Sequence, residues 1–235
     1  MPNAPNIVDL LLTPNSTRPG GNRPGTPLSP QGVTVHRTGD PGATARNIRN
    51  YFDTIRPGNE SSAHYVVDGT GEIIRCIPET EVAWHAGPAA NQRDIGIETC
   101  EPLTGAAYES TVWLVADIHR RMGWQASLGL TIRPHSFYSP TDRPEDPFSW
   151  IRYQAGQSDS GALYLPAPFL ATVEASLMPF KDVPSSHWAA VAIELVANKG
   201  LMQGYADGTF RPDNPISRAE LAVVLQRLLV LLKQA

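Results

Sequence analysis

Gly32-Val33-Thr34-Val35-His36-Arg37-Thr38-Gly39 is the stretch from which the rest of this chain is read. Val33, Thr34 and Val35 are a short β-branched run, the composition of a buried strand, and the run breaks off at His36 into a loop rich in Gly, Asp and Pro. A strand end holds a side chain rigidly, and the loop beyond leaves space in front of it. That placement suits a metal ligand. A single histidine at a strand end is also an ordinary structural residue. The balance changes at His135, which follows a second short strand, Leu130 to Arg133, and precedes several carboxylates.

Between the two histidines, strands alternate with helices. Ile48, Tyr51, Phe52 and Ile55 predict a helix over 43–55 that packs one face on a sheet. Ser62 to Val67, the turn Gly69 to Gly71 and Glu72 to Ile77 read as a hairpin. Ile95 to Thr99 is a buried strand carrying one acid, Glu98, which is costly to bury unless it is paired or faces a wet cleft. Val112, Val115, Ile118 and Met122 predict a helix over 108–122, with His119 at its surface or partly buried. Ile7 to Leu12 is an apolar segment, and the Asn, Arg, Pro and Gly after it read as a loop clamped to the domain surface. The expected fold class is α/β, a mixed central sheet flanked by helices, followed by a small all-α helix-loop-helix unit.

A hydrophobic content of 41% and a charged content of 18% allow a core throughout. The net charge of -4 gives no basic face, so nucleic acid is not an expected partner. No run approaches the roughly 20 apolar residues of a membrane span. Met1 to Asn6 lacks the basic start and apolar core of a secretory signal. Cys76 and Cys100 sit in apolar runs and read as two buried free thiols, with a single bridge between neighbouring strands as the alternative. The Gly, Ser, Ala and Pro of 154–168 mark a boundary, and the expected division is 1–165, a linker at 166–179, and 180–235.

In the last part, Trp188, Val191, Ala192, Leu195 and Val196 form a helical stripe closed by Gly200. Ser217 and Glu220 are a capping box opening a second helix with Leu221, Val224, Leu225, Leu228, Leu229 and Leu232 on its apolar face. Such a unit has little core and needs a partner surface. Phe180, Lys181, Asp182 and Val183, then His187, Trp188 and Ala189, then Gly204, Tyr205, Asp207 to Pro212, and Ile216 to Glu220 resemble an S-layer homology module. The resemblance implies binding of secondary cell-wall polysaccharide, with Arg218 in the binding site. Such modules usually pack as three copies, and the single one here implies a homo-oligomer through the leucine-rich helix.

The first part resembles the zinc-dependent N-acetylmuramoyl-L-alanine amidases, relatives of the peptidoglycan recognition proteins. The matching blocks are Val35, His36, Thr38 and Gly39; Ser62 to Asp68; Ala83, Trp84, His85, Ala86 and Gly87; Ile95 to Glu98; and Pro134 with His135. By this resemblance peptidoglycan is the substrate, Zn2+ the cofactor, His36 and His135 two of its ligands, and Glu98 the catalytic acid. Trp84, His85, His64 and Arg143 would contact substrate. Arg143-Pro144 stands where cysteine-bearing relatives have their third ligand, and arginine has no acceptor for a metal. Asp146, followed by Pro147 and Phe148, resembles the third ligand of an aspartate-bearing subgroup, with Asp142 as its competitor. The expected activity is hydrolysis of the bond between N-acetylmuramic acid and L-alanine at the cell wall, with endolysin-like release of a chain made in the cytoplasm. Two alternatives are a non-catalytic wall-recognition protein with a degenerate metal site, and a thiol hydrolase using Cys100 with His85 or His64.

Overall fold

In the computed structural model, which describes residues 5–138, 167–178, 180–184 and 187–233, the β-branched run lies inside a six-stranded sheet. The strands are β1 (Ile7–Asp9), β2 (Gly32–Pro41), β3 (Tyr65–Val67), β4 (Ile73–Arg75), β5 (Asp94–Glu101) and β6 (Ile132–Pro134), in the order β1-β4-β3-β5-β2-β6. Every pairing is parallel except the β3–β4 hairpin. Helix α1 (Ala45–Phe52) covers part of one face, and α3 (Gly105–Met122) lies against β3 and β5; a short α2 (Pro88–Asn91) precedes β5. A mostly parallel sheet needs both faces covered, which is why Val33, Val35, Ile95 and Ile97 are buried with little alternation.

The face that carries α1 positions the site. Ala45, Ile48 and Phe52 of α1 pack with Val66, Ile74, Cys76 and Cys100 over β3, β4 and the end of β5. Thr44 starts α1 by accepting the Asn47 N–H, and Asn47 answers through its side chain, a reciprocal cap. The helix ends at Phe52, and Asp53 just beyond it takes Thr13, Arg18 and Arg49. Farther along the sheet, over β5, β2 and β6, the same face carries Glu98 and His36 instead of an apolar set.

The apolar segment 7–12 supplies the edge strand β1, and Leu12 enters the core under α1. The loop after it is clamped: Asn22 donates to the Phe52 and Thr54 carbonyls, and Arg23 pairs with Glu81 at 2.6 Å. His119, expected at or near the surface, is fully buried, its Nδ1 bonded to the Val115 carbonyl and its ring edge-on to Trp124. Helix periodicity shows which side a residue is on but not that Trp124 folds back over it. Both thiols are free and buried.

The chain divides into two compact units, Met1–Val173 and Glu174–Ala235. Much of 166–179 is helical, α4 (Ala167–Leu177), and Phe169 and Val173 are buried, with the Phe169 ring against Tyr108. In the second unit, α5 (Ala190–Asn198) ends in a Schellman pattern: Gly200 at φ 67° donates to Ala197 and Leu201 donates to Val196. α6 (Arg218–Leu232) opens with the expected Ser217–Glu220 capping box. Between these helices Asp182 accepts the Phe210 and Arg211 N–H groups, and Asp207 accepts from Thr209 and pairs with Arg211. Gly204 has to be glycine there, because a Cβ would fall 2.1 Å from the Phe180 ring. No helix among the described residues is long and apolar enough to cross a membrane.

Candidate active site

Strand register assembles the chemistry. β2 and β5 pair with His36 opposite Glu98, so the two side chains leave the same face. β6 pairs on the other side of β2 with Val35 opposite Pro134, which brings His135 beside His36. Val66 lies opposite Glu98 on β3. One row across the sheet therefore passes from the apolar half under α1 to Glu98, His36 and His135. His36 is almost fully buried, and its Nδ1 lies 2.8 Å from Nδ1 of His135.

His85 completes the cluster. Its Nδ1 is 2.9 Å from Nε2 of His36, and its Nε2 is 3.1 Å from the Asp94 carbonyl oxygen. The ring lies on Gly96, where a Cβ would come within 2.6 Å of it. Asn91 holds the loop by accepting the N–H groups of His85 and Ala86. His64 sits differently from the sequence expectation: it is fully buried, its Nδ1 accepts the Gly96 N–H, and its Nε2 donates to the Glu81 carbonyl. Both ring nitrogens are therefore bonded to main chain, inside the fold. Desolvation pushes His85 down to about 3 and His64 down to about 4, so both are neutral at pH 7.

Trp84, His85 and His135 stand where two hollows meet. One, of about 320 Å³, reaches Thr38, Asp40 and Glu98; the other, of about 900 Å³, runs toward Glu60, Pro88 and Tyr138. Beneath them Asp94 takes Arg133 at 3.0 Å, Thr34 at 2.8 Å and Tyr138 at 2.7 Å, a fully buried ion pair tying β5 to the residues around His135. Asp94, Asn91 and Tyr138 were not singled out from sequence, and Gly96 was noted only as part of the Ile95 to Glu98 block, without a role. The available signals were an acid opening an apolar strand and a glycine within it. Burial pushes the thiols of Cys76 and Cys100 up to about 12, which leaves Cys100 protonated and unsuited to nucleophilic attack.

Two imidazoles whose Nδ1 atoms converge to 2.8 Å, beside a carboxylate, are a donor set that suits zinc. The third-ligand residues, Asp146 and Asp142, lie outside the described residues, as does Arg143. Among the described residues no group of three His, Cys, Asp or Glu is placed to hold a metal ion. Arg218 lies in the second unit, exposed at the first turn of α6.

Residues 25–148, a little over half of the chain, match the N-acetylmuramoyl-L-alanine amidase family model. The chain belongs to this family. Its amidase region is 36% identical over 154 residues to a probable N-acetylmuramoyl-L-alanine amidase of Bacillus licheniformis, a match covering 58% of this chain and 41% of that protein. The chain thus spans less than half the length of that relative. The fold also matches the catalytic domain of XlyA, an amidase of Bacillus subtilis, with a TM-score of 0.55 and 26% identity, covering 72% of this chain and 99% of that domain. Past the amidase region, residues 179–222 match the S-layer homology domain. That part is 52% identical over 54 residues to a cellulosome-anchoring protein of Acetivibrio thermocellus, 23% of this chain and 12% of that one. The mixed sheet with flanking helices is thus the amidase fold, and the C-terminal unit is an S-layer homology domain.

Proposed function

We propose that this chain hydrolyses the amide bond between N-acetylmuramic acid and L-alanine in peptidoglycan and acts at the bacterial cell wall, where its C-terminal module holds it. The observation that carries the reading is the row of Glu98, His36 and His135 across the sheet, in an amidase-family domain. His36 and His135 would hold zinc with a third ligand from Asp146 or Asp142. Zinc, when bound, supplies a Lewis acid that activates water and polarises the scissile carbonyl. Glu98 takes the proton of the attacking water and returns it to the departing L-alanine nitrogen. Trp84, with Arg143, would contact the glycan and stem peptide along the groove. His64, enclosed with both nitrogens bonded, supports the strand under the site.

On this reading the chain would comprise an amidase domain at 1–165, a linker at 166–179 and a wall module at 180–235, a division supported by the family matches at 25–148 and 179–222. Arg218 would contact secondary cell-wall polysaccharide, and the apolar surface of α6 would join copies into a homo-oligomer. Release of new L-alanine amino termini from purified peptidoglycan tests the activity, measured as isolated, after chelation and after zinc is restored. Loss on chelation and recovery with zinc are expected. No release under any of these conditions, with walls still bound, would support a recognition protein instead.

A further inference from the structure

We propose that His85 is a positioning residue for His36, fixing the tautomer that turns the Nδ1 lone pair of His36 toward His135, and that Gly96 is glycine to admit it. This rests on the zinc reading of the site. The two ring hydrogen bonds of His85 have one consistent direction. The Asp94 carbonyl oxygen can only accept, so His85 Nε2, 3.1 Å away, carries the His85 proton. Nδ1 of that neutral ring is then an acceptor, and His36 Nε2, at 2.9 Å, must donate to it. With its proton on Nε2, His36 turns the Nδ1 lone pair toward His135, whose Nδ1, 2.8 Å away, is the donor of that contact. The opposite tautomer would set two lone pairs against each other at His85 and would put the proton of His36 itself on the nitrogen it offers to a metal.

The surroundings leave His85 little freedom. Asn91 fixes its main chain, and the ring rests on Gly96, where any Cβ would be 2.6 Å away. Gly96 is itself held by a reciprocal pair with His64, whose Nδ1 accepts the Gly96 N–H while its own N–H donates to the Gly96 carbonyl, both at 2.9 Å. The sequence blocks Ala83 to Gly87 and Ile95 to Glu98 are therefore one device. A histidine from the first sets the ligand on β2 through a gap left by the second.

The test uses the full chain and two readouts besides activity. Ring 15N shifts of the metal-free protein near pH 7 report the His36 tautomer, and competition with a chromophoric chelator reports zinc affinity. Nε2–H is expected for His36 in the wild type. His85→Leu and Gly96→Ala should each weaken zinc binding about 10- to 100-fold. His85→Asn, with Oδ1 as a replacement acceptor, should recover most of that loss. An Nδ1–H tautomer in the wild type, or unchanged zinc affinity in His85→Leu, would overturn the proposal. Failure of the wild type to bind zinc would overturn the zinc reading beneath it, and the tautomer, read without metal, decides the relay independently of folding in any variant.

Discussion

In the amidase unit Ile95, Ile97, Leu114 and Ile118 are fully buried, and so are His36, Asp94 and Arg133. In the S-layer homology unit α6 has no buried residue at all: Leu225, Leu229 and Leu232 are 50%, 59% and 64% exposed, and Trp188 on the approach to α5 is 90% exposed. The small core there is Val183, Ala190 and Ile193 with Phe180 and Phe210 around it. The difference shows where each unit obtains its order. A large sheet core lets the amidase unit hold polar groups away from water and fix their hydrogen bonds, which is what a catalytic site requires. The second unit is ordered by loop hydrogen bonds, and its apolar residues remain available to a partner.

The largest expected effect in this contrast is Asp94→Ala, which leaves Arg133 buried without its carboxylate. It should cost about 3–5 kcal/mol in urea denaturation of the full chain, and a loss well below that would mean the buried pair is not holding β5 to β6. Next is a matched pair of truncations. Leu114→Ala should cost about 2–5 kcal/mol, while Leu229→Ala should stay within about 0.5 kcal/mol in dilute protein. Equal losses would erase the distinction between the units; a loss at Leu229 that grows with protein concentration would sharpen it by revealing self-association.

Asp182→Ala removes the acceptor for two loop N–H groups. Calorimetry should show the melting of the second unit lowered and the first unmoved. The smallest effect is one of pH. Burial raises the Glu79 carboxyl, but hydrogen bonds from Arg121 and Tyr65 outweigh it, so the group ends below its ordinary 4.5. An unfolded chain then binds the proton more readily. The contribution is complete above pH 4.5 and is lost as pH falls through the lower folded value. Denaturation midpoints measured down to pH 3 should fall less steeply in Glu79→Gln than in the wild type, and identical slopes would remove Glu79 from the account.

Much of this was legible from local pattern. The β-branched run before His36, the Ile-Gly-Ile-Glu strand and the Ser217–Glu220 box each announce an element that the fold contains, but the Gly, Asp and Pro expected to form a loop after His36 instead continue β2 to Pro41, so His36 lies within the strand and not at its end. Less legible was anything that depends on which strands become neighbours. Asp94 and Arg133 are far apart in sequence and meet only because β5 and β6 flank β2. The same holds for His64 and His85, which look alike as histidines beside aromatic residues. One is enclosed between main-chain groups and the other bonded to His36, a distinction made by strand order and by the missing Cβ of Gly96. Residues 167–177 read as linker because small residues and proline surround them, yet they form a helix whose Phe169 has an aromatic partner in Tyr108.

The most direct test of the central claim is the rate at which Glu98→Gln releases L-alanine amino termini from purified walls, with sedimentation of the protein with those walls measured in the same samples. The account predicts a rate about 10²- to 10⁴-fold below the wild type with sedimentation unchanged, since the row on the sheet does the chemistry and the second unit does the holding. Release at the wild-type rate would contradict it.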